Sequence, residues 1–284
     1  MMCRVRPGAR RAARAVLLSA FLAALLASPT GQSASAAPRT LPAHVSATYK
    51  ISFTVLGDIG TFRFSSSIDG DAYALAADAT IDTAVFDYNG VMASTGSVLA
   101  AITKPGGYKF RYKQKALLGK KKKRSLDIAF NGAGVTGVNY VPPDPPSKKA
   151  IPVTDAQLRN VLDPLSGVMA LSLGNTARPC DQNIPIYDGK QRFDLVFTPA
   201  GPAAGPDADQ LCHVRLIPIS GHKPGEGTDR VINGQIEVVL RPVPKAHILI
   251  PYRVTVPTIV GSAVLTSEKV DITMPDRQRI AFRR

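Results

Sequence analysis

The fold class is decided by residues 45–55, VSATYKISFTV, in which apolar residues alternate with small or polar ones. Successive side chains of a β-strand point to opposite faces, so this alternation predicts a strand with one buried face and one exposed face. Gly57 and Asp58 follow directly and predict a turn. This part of the chain is therefore expected to be a strand and not a helix.

Short runs of the same kind recur along the chain, each bounded by Gly, Asn, Asp or Pro. They lie at 62–64, 73–77, 85–88, 96–102, 108–112, 184–187, 193–197, 212–219, 231–240, 248–256 and 259–272. Many short strands separated by turn residues are typical of an antiparallel meander. Because exposed sheet edges must be covered or closed, the pattern predicts an all-β dominated fold. We expect a strongly curved antiparallel sheet or half-open barrel that partly wraps one α-helix.

The helix is predicted at about residues 154–173, where apolar residues recur at steps of three and four. Thr154 or Asp155 supplies its N-terminal cap. Pro164 lies inside this window, and proline removes a helical hydrogen bond. We therefore expect a kink or two short helices.

Residues 1–37 have the three parts of a cleavable secretory signal. Five arginines in the first fourteen residues precede the apolar run 15–27, and small residues lead up to Ala37. This apolar run is too short to cross a bilayer core, which needs ~20 residues. We expect a periplasmic or secreted protein whose mature part, residues 38–284, is a single β-rich domain. Loss of the five arginines would reduce the formal net charge from +14 to +9.

Two of the three cysteines, Cys180 and Cys212, lie outside the predicted signal. Two thiols in an oxidising compartment most simply form a disulfide. Two buried free thiols are the alternative.

No catalytic or metal-binding pattern is recognisable. Ser166 lacks the Gly-x-Ser-x-Gly elbow of a nucleophilic serine. The histidines lack the paired spacing of a zinc site. We therefore predict that the protein is not an enzyme and holds no cofactor or metal.

The run Lys120, Lys121, Lys122, Lys123 and Arg124 predicts an exposed hairpin tip, because like charges at this density must be solvated. After export, the available polyanions are lipid head groups, lipopolysaccharide phosphates and acidic glycans, and no nucleic acid is expected as a partner. A basic residue near an anionic membrane contributes ~1 kcal/mol to binding. A soluble, edge-protecting lysine hairpin is the alternative.

Five aromatic residues on the predicted strands have two interpretations. They are Tyr49, Phe53, Phe62, Phe64 and Phe110. Burial statistics favour an ordinary core position for such residues. The alternative is that they line a cavity large enough for a lipid.

Several motifs taken together resemble an exported bacterial family of unknown function, DUF3108. These are GSVLAAITKPGGYKFRY at 96–112, LDPLSGVMAL at 162–171, YDGKQRFDLVF at 187–197 and IPYRVTVPTIVGSAVL at 250–265. The resemblance spans roughly residues 47–272. It implies an exported location. The pattern of the family is also similar to that of periplasmic lipoprotein-carrier folds, in which a half-open β-barrel encloses a helix. A fold of this kind does not by itself determine function.

Two functional hypotheses follow. The first is a non-enzymatic periplasmic protein that binds an apolar or amphipathic cell-envelope component and docks on an anionic membrane surface. The second is a ligand-free envelope structural or protein-interaction module with a filled core. An apolar cavity of a few hundred Å³ on the concave face would favour the first.

Overall fold

The computed structural model describes residues 40–117, 119–203, 208–223, 235–258 and 261–284. The predicted signal, residues 1–37, lies outside the described residues. Residues 38–284 form one compact unit. Within the described ranges, no helix is long and apolar enough to cross a membrane.

The described chain is built mainly of β-strands, with one short α-helix. The strands are β1 His44–Phe53, β2 Gly57–Asp69, β3 Ala72–Asp82, β4 Phe86–Leu99, β5 Ile102–Ala116, β6 Lys122–Phe130, β7 Val135–Val141, β8 Asn183–Tyr187, β9 Arg192–Pro202, β10 Gln210–Ser220, β11 Ile236–Val243, β12 Ile248–Thr258, β13 Gly261–Thr273 and β14 Arg279–Arg283. The helix α1 is Pro164–Ser172. The predicted strands 231–240 and 259–272 begin outside the described residues, and their remaining parts are β11 and β13.

All strands belong to one antiparallel sheet, which consists of two meanders. The order across the sheet is β7-β6-β5-β4-β3-β2-β1-β13-β12-β11-β10-β9-β8, and β14 pairs with β13 beyond the end of the β12 pairing. The pairing of β1 with β13 joins the meanders, with Val45 opposite Ile272 and Ile51 opposite Leu265. Among the described residues, the sheet does not close into a complete ladder. The predicted curved, half-open sheet around one helix is confirmed.

The linker before α1 ties the two sheet edges, β7 and β8, to each other. Arg159 forms a bridge with Gly134 beside β7, and Leu162 forms a bridge with Ile186 of β8. The Leu162 amide donates to the Pro185 carbonyl at 2.9 Å. Edge strands leave unpaired backbone groups, and this linker satisfies some of them.

The predicted helical window 154–173 is divided in the structure. A 3-10 turn covers Asp155–Leu158, and α1 begins only at Pro164. The physical reason is the Asp163-Pro164 pair, because a residue before proline is disfavoured in helical conformation. Asp163 is extended, with φ −73° and ψ 165°. Two short helical pieces, and not one long helix, are therefore present.

The core lies between α1 and the concave face of the sheet. The alternating residues Val45, Ala47 and Tyr49 of β1 are buried there, as the sequence predicts. A second apolar cluster under β8–β12 contains the disulfide Cys180–Cys212, whose Cα atoms are 5.4 Å apart. The predicted disulfide is confirmed, and its Cα distance is within the usual range.

Candidate functional site

The helix α1 covers only part of the concave face. It contacts β3, β4, β5, β8 and β12. Gly167 lets it approach β8 closely, since a Cβ atom there would lie 2.4 Å from the Ile186 Cδ1 atom. The uncovered remainder of the concave face, toward the β3–β4 and β5–β6 turns, carries Phe86, Tyr88 and Tyr112, which are half-buried and lie outside the core cluster under α1.

A buried polar network fastens the start of α1 to the sheet. Asp163 Oδ1 accepts the amide hydrogens of Leu165 and Ser166, both at 3.0 Å. Its Oδ2 accepts the hydroxyls of Ser94 at 2.8 Å and Ser166 at 2.5 Å. The Tyr73 hydroxyl lies 2.8 Å from Ser166 Oγ. Asp163 and Ser166 have no exposed surface, so this network caps the helix and is closed to a substrate.

Burial controls the titration of this network. It raises the pKa of the Asp163 carboxyl, and hydrogen bonds from Ser166, Ser94 and Leu165 oppose that shift. Burial likewise raises the pKa of Tyr73 to about 12. Both groups are therefore biased toward their neutral forms.

The raised pKa of Asp163 predicts how stability depends on pH. A carboxyl whose pKa is higher in the folded state stabilises the fold fully below its unfolded pKa of about 3.9, and this contribution is lost as pH rises through the folded pKa. We expect the difference in unfolding free energy between wild type and Asp163→Asn to decrease as pH rises above about 4. Urea titrations at several pH values measure it. A difference that grows with pH would mean that hydrogen bonding to the carboxylate outweighs burial.

The five predicted cavity residues do not line one cavity. Tyr49 and Phe64 line a slot of about 40 Å³ between α1 and the inner face of β1–β2. Phe62 packs against Tyr49 at a ring distance of 5.9 Å. Phe53 lines a separate recess of about 660 Å³ with Tyr252 and Arg253. The interior under the helix is nearly filled, because apolar side chains of α1, β1 and β12 meet there.

Phe110, the fifth residue, packs against the core cluster and belongs to a row of aromatic rings that extends onto the uncovered part of the concave face. This aromatic row consists of Phe86, Tyr88, Tyr112 and Phe110. Successive ring centroids along it are 6.4, 5.9 and 5.3 Å apart, with interplanar angles of 16–29°. All four side chains are half-buried. The row lies on the face that bears the helix. Ser94, which contacts the start of α1, and Tyr88 are an even number of positions apart along β4, so their side chains point to the same face.

A glycine shapes the aromatic row. Gly90 pairs directly with Tyr112 across the β4–β5 ladder. A Cβ atom at Gly90 would lie 2.5 Å from the Tyr88 hydroxyl oxygen. The Tyr88 ring therefore lies over Gly90 and stacks on Tyr112 instead of standing away from the sheet. The row lies between two recesses, one lined by Tyr88 and the other by Phe110 and Tyr112, and we call the surface formed by its rings the groove.

The groove ends in a charged pocket of about 210 Å³, where Phe110, Tyr112 and Tyr140 provide aromatic walls. Arg124 of β6 and Lys190 of the β8–β9 turn both form ion pairs with Asp144. The Lys190 hydrogen bond and the nearby guanidinium hold the pKa of Asp144 below its usual value. Two cations therefore share this carboxylate at the pocket rim.

Asp188 forms a half-buried wall of the same pocket. Its Oδ1 atom accepts the amide hydrogens of Lys190 at 2.9 Å and Gln191 at 2.7 Å. Burial raises the pKa of this carboxyl. Burial also raises the pKa of Tyr140, and the Lys190 ammonium lies 5.7 Å from the centroid of that ring. Asp188 thus holds the turn that carries Lys190.

The predicted basic run occupies the β5–β6 turn and the start of β6. Lys120 to Lys123 are exposed. Arg124 differs from them, since its side chain is one third exposed and ion-paired with Asp144. The structure therefore assigns the four lysines to the surface and Arg124 to the rim of the charged pocket.

Sequence reasoning missed most of the groove. Phe86 and Tyr88, like Phe110 and Tyr112, are spaced by two residues, and this spacing alone places each pair on one face of its strand. These two pairs of rings come together only because β4 lies next to β5 in the folded sheet. Within the described ranges, no group of three or more His, Cys, Asp or Glu residues could hold a metal ion.

A comparison with protein families matches residues 48–267 to the model described as "Protein of unknown function (DUF3108)". Searches of curated proteins and of solved structures found no match.

Proposed function

The chain belongs to the DUF3108 family, whose function is unknown, and we propose that it is an exported, non-enzymatic protein that binds an amphipathic molecule of the cell envelope. The aromatic row carries this proposal. Four half-buried rings in contact, left uncovered by α1, offer an apolar surface that a filled core does not require.

The charged pocket supports an amphipathic and not a purely apolar ligand. Arg124 and Lys190 lie at one end of the row, next to Phe110 and Tyr112. An apolar chain lying along the rings would place an anionic head group beside these cations. Ligand sites typically combine an apolar surface with a small number of polar groups that converge beside it.

Export is part of the same proposal. The disulfide supports it, because disulfides persist in oxidising compartments and are rare in the cytosol. The resemblance of residues 1–37 to a secretory signal supports it independently.

A ligand-free interaction module is the second candidate. The slot of about 40 Å³ beneath α1 favours it, since a lipid buried there would need several hundred Å³. The two candidates differ in one respect. The first requires a small amphiphile on the aromatic row, and the second requires none.

Replacing Tyr112 with alanine should weaken amphiphile binding by about 10- to 100-fold, as expected for loss of a central aromatic anchor. The probe is lysophosphatidylglycerol below its micelle concentration, measured by isothermal titration calorimetry. Lys190→Gln should weaken this anionic probe but leave the zwitterionic lysophosphatidylcholine unchanged.

The matched controls are Val91→Ala and Arg111→Gln. These residues pair with each other on the same two strands, and both are exposed on the opposite face. Both control variants should bind lysophosphatidylglycerol with wild-type affinity. The proposal fails if wild type binds neither lipid and also carries no amphiphile in native mass spectra after purification.

A further inference from the structure

We infer that the end of the sheet formed by the β1–β2, β3–β4 and β5–β6 turns docks on an anionic lipid bilayer. Alternate turns of a meander lie at the same end of the sheet, and strands are spaced by about 4.8 Å, so successive turns of this set are roughly 10 Å apart. We call this surface the docking end.

Each turn of the docking end carries a large, exposed apolar side chain. Val55 and Leu56 are 66% and 61% exposed in the first turn, Val85 is 54% exposed in the second, and Leu117 is 67% exposed in the third. The second and third turns are in contact, because the Leu117 amide donates to the Val85 carbonyl at 2.8 Å. Single exposed apolar residues are ordinary, but a group at adjacent turn tips indicates an interaction surface.

Lysines lie beside two of these three turns, the second and the third. A recess of about 650 Å³ beside the second and third turns is lined by five lysines, Lys113, Lys115, Lys121, Lys122 and Lys123, and by two carboxylates, Asp82 and Asp87. Lys120 lies in the same turn as Leu117 and is also exposed. The docking end therefore carries a clear excess of positive charge.

A row of apolar turn tips with a cluster of cations at two of the turns matches the boundary between lipid head groups and acyl chains. The tips would enter the acyl boundary, while the lysines would remain at the level of the phosphates. A soluble polyanion would satisfy the lysines but leave the apolar tips in water. The charge and the apolar exposure together thus favour a bilayer.

Docking at this end also has a consequence for the groove. Phe86, the first ring of the aromatic row, directly follows Val85 in the chain. The open end of the groove would then face the membrane, a step that rests on the proposed function. A ligand could pass between the bilayer and the groove without crossing the solvent.

Flotation with lipid vesicles tests the inference, using residues 38–284, which form a compact unit. Wild type should bind vesicles of phosphatidylcholine with about 30% phosphatidylglycerol and show little binding to pure phosphatidylcholine. The double variant Lys121→Gln/Lys123→Gln should weaken binding roughly 10-fold or more at low salt. Leu56→Ser/Leu117→Ser should also weaken binding, and its effect should persist at about 1 M salt, where charges are screened within about 3 Å.

Matched controls come from the other end of the meander. Leu99 and Ile102 flank the β4–β5 turn and are 65% and 61% exposed, and Lys104 and Lys109 lie exposed on β5. Leu99→Ser/Ile102→Ser and Lys104→Gln/Lys109→Gln should bind vesicles like wild type. The inference is overturned if wild type binds neither vesicle, or if these controls lose as much binding as the docking-end variants.

The docking result is independent of ligand binding. Leu56→Ser/Leu117→Ser should keep wild-type affinity for lysophosphatidylglycerol in solution, whereas Tyr112→Ala should lose it and still float with vesicles. Failure of flotation alone rejects the docking end, and failure of the solution titration alone rejects the groove.

Discussion

Replacing Asp163 with alanine is expected to destabilise the protein by about 3–5 kcal/mol. The variant removes the acceptor for two backbone amides, of Leu165 and Ser166, and for the Ser94 and Ser166 hydroxyls. Loss of a helix cap alone costs ~1 kcal/mol. Each buried donor left without a partner adds about 1–3 kcal/mol. Urea denaturation followed by circular dichroism measures the change.

Two further variants test whether the loss of stability comes from the loss of the hydrogen-bond network and not from the removal of any carboxylate. Asp87→Ala changes an exposed aspartate of β4 and should alter stability by less than about 0.5 kcal/mol. Ser94→Ala combined with Asp163→Ala should cost less than the sum of the single changes, because both remove the same hydrogen bond. Strict additivity, or an Asp163→Ala protein as stable as wild type, would show that the network does not hold the helix.

Replacing both cysteines with serine, Cys180→Ser/Cys212→Ser, is expected to cost about 3–4 kcal/mol. The cross-link joins residues separated by 32 positions, and a loop of that length restricts the unfolded chain substantially. In the folded protein it connects the segment after α1 to β10, two strands in from the β8 edge. Both cysteines are buried in the second apolar cluster. Guanidinium denaturation of residues 38–284 measures the loss.

Reduction provides the control for this pair. Dithiothreitol should lower the stability of wild type toward that of the variant and leave the variant unchanged. A thiol assay on the unreduced, denatured residues 38–284 should detect no free thiol. Two free thiols would contradict the disulfide.

Much of the fold was predictable because β-strand patterns are local. The alternation at 45–55 identified the buried face of β1, and Val45, Ala47 and Tyr49 are indeed in the core. The cysteine pair was predictable because only two cysteines lie outside the proposed signal. The break before α1 was predictable from Pro164, because proline acts on its own neighbours.

The site was not predictable in the same way, because it is made by residues far apart in the chain. Ser94 meets Asp163 across 69 positions, and Lys190 meets Asp144 only because the two sheet edges approach each other. An alternating pattern states which face a side chain occupies, but it does not state which strand lies next to it. Phe53 and Phe110, grouped by type in the sequence, are therefore in different recesses.

Local patterns along the chain are sufficient to predict the strand-rich class, the disulfide pair, the interrupted helix and the exposed lysines. The strands follow from the local alternation of apolar and polar residues, and the break in the helix follows from the sterics of proline. The disulfide follows because only two cysteines lie outside the predicted signal, and the lysines are exposed because clustered charges must be solvated. Folding of the whole chain is needed to leave part of the concave face uncovered by α1, to bring four aromatic rings together and to place apolar turn tips beside the lysines. These features depend on strand register and sheet curvature, which are set by packing across the whole sheet and not by any one segment.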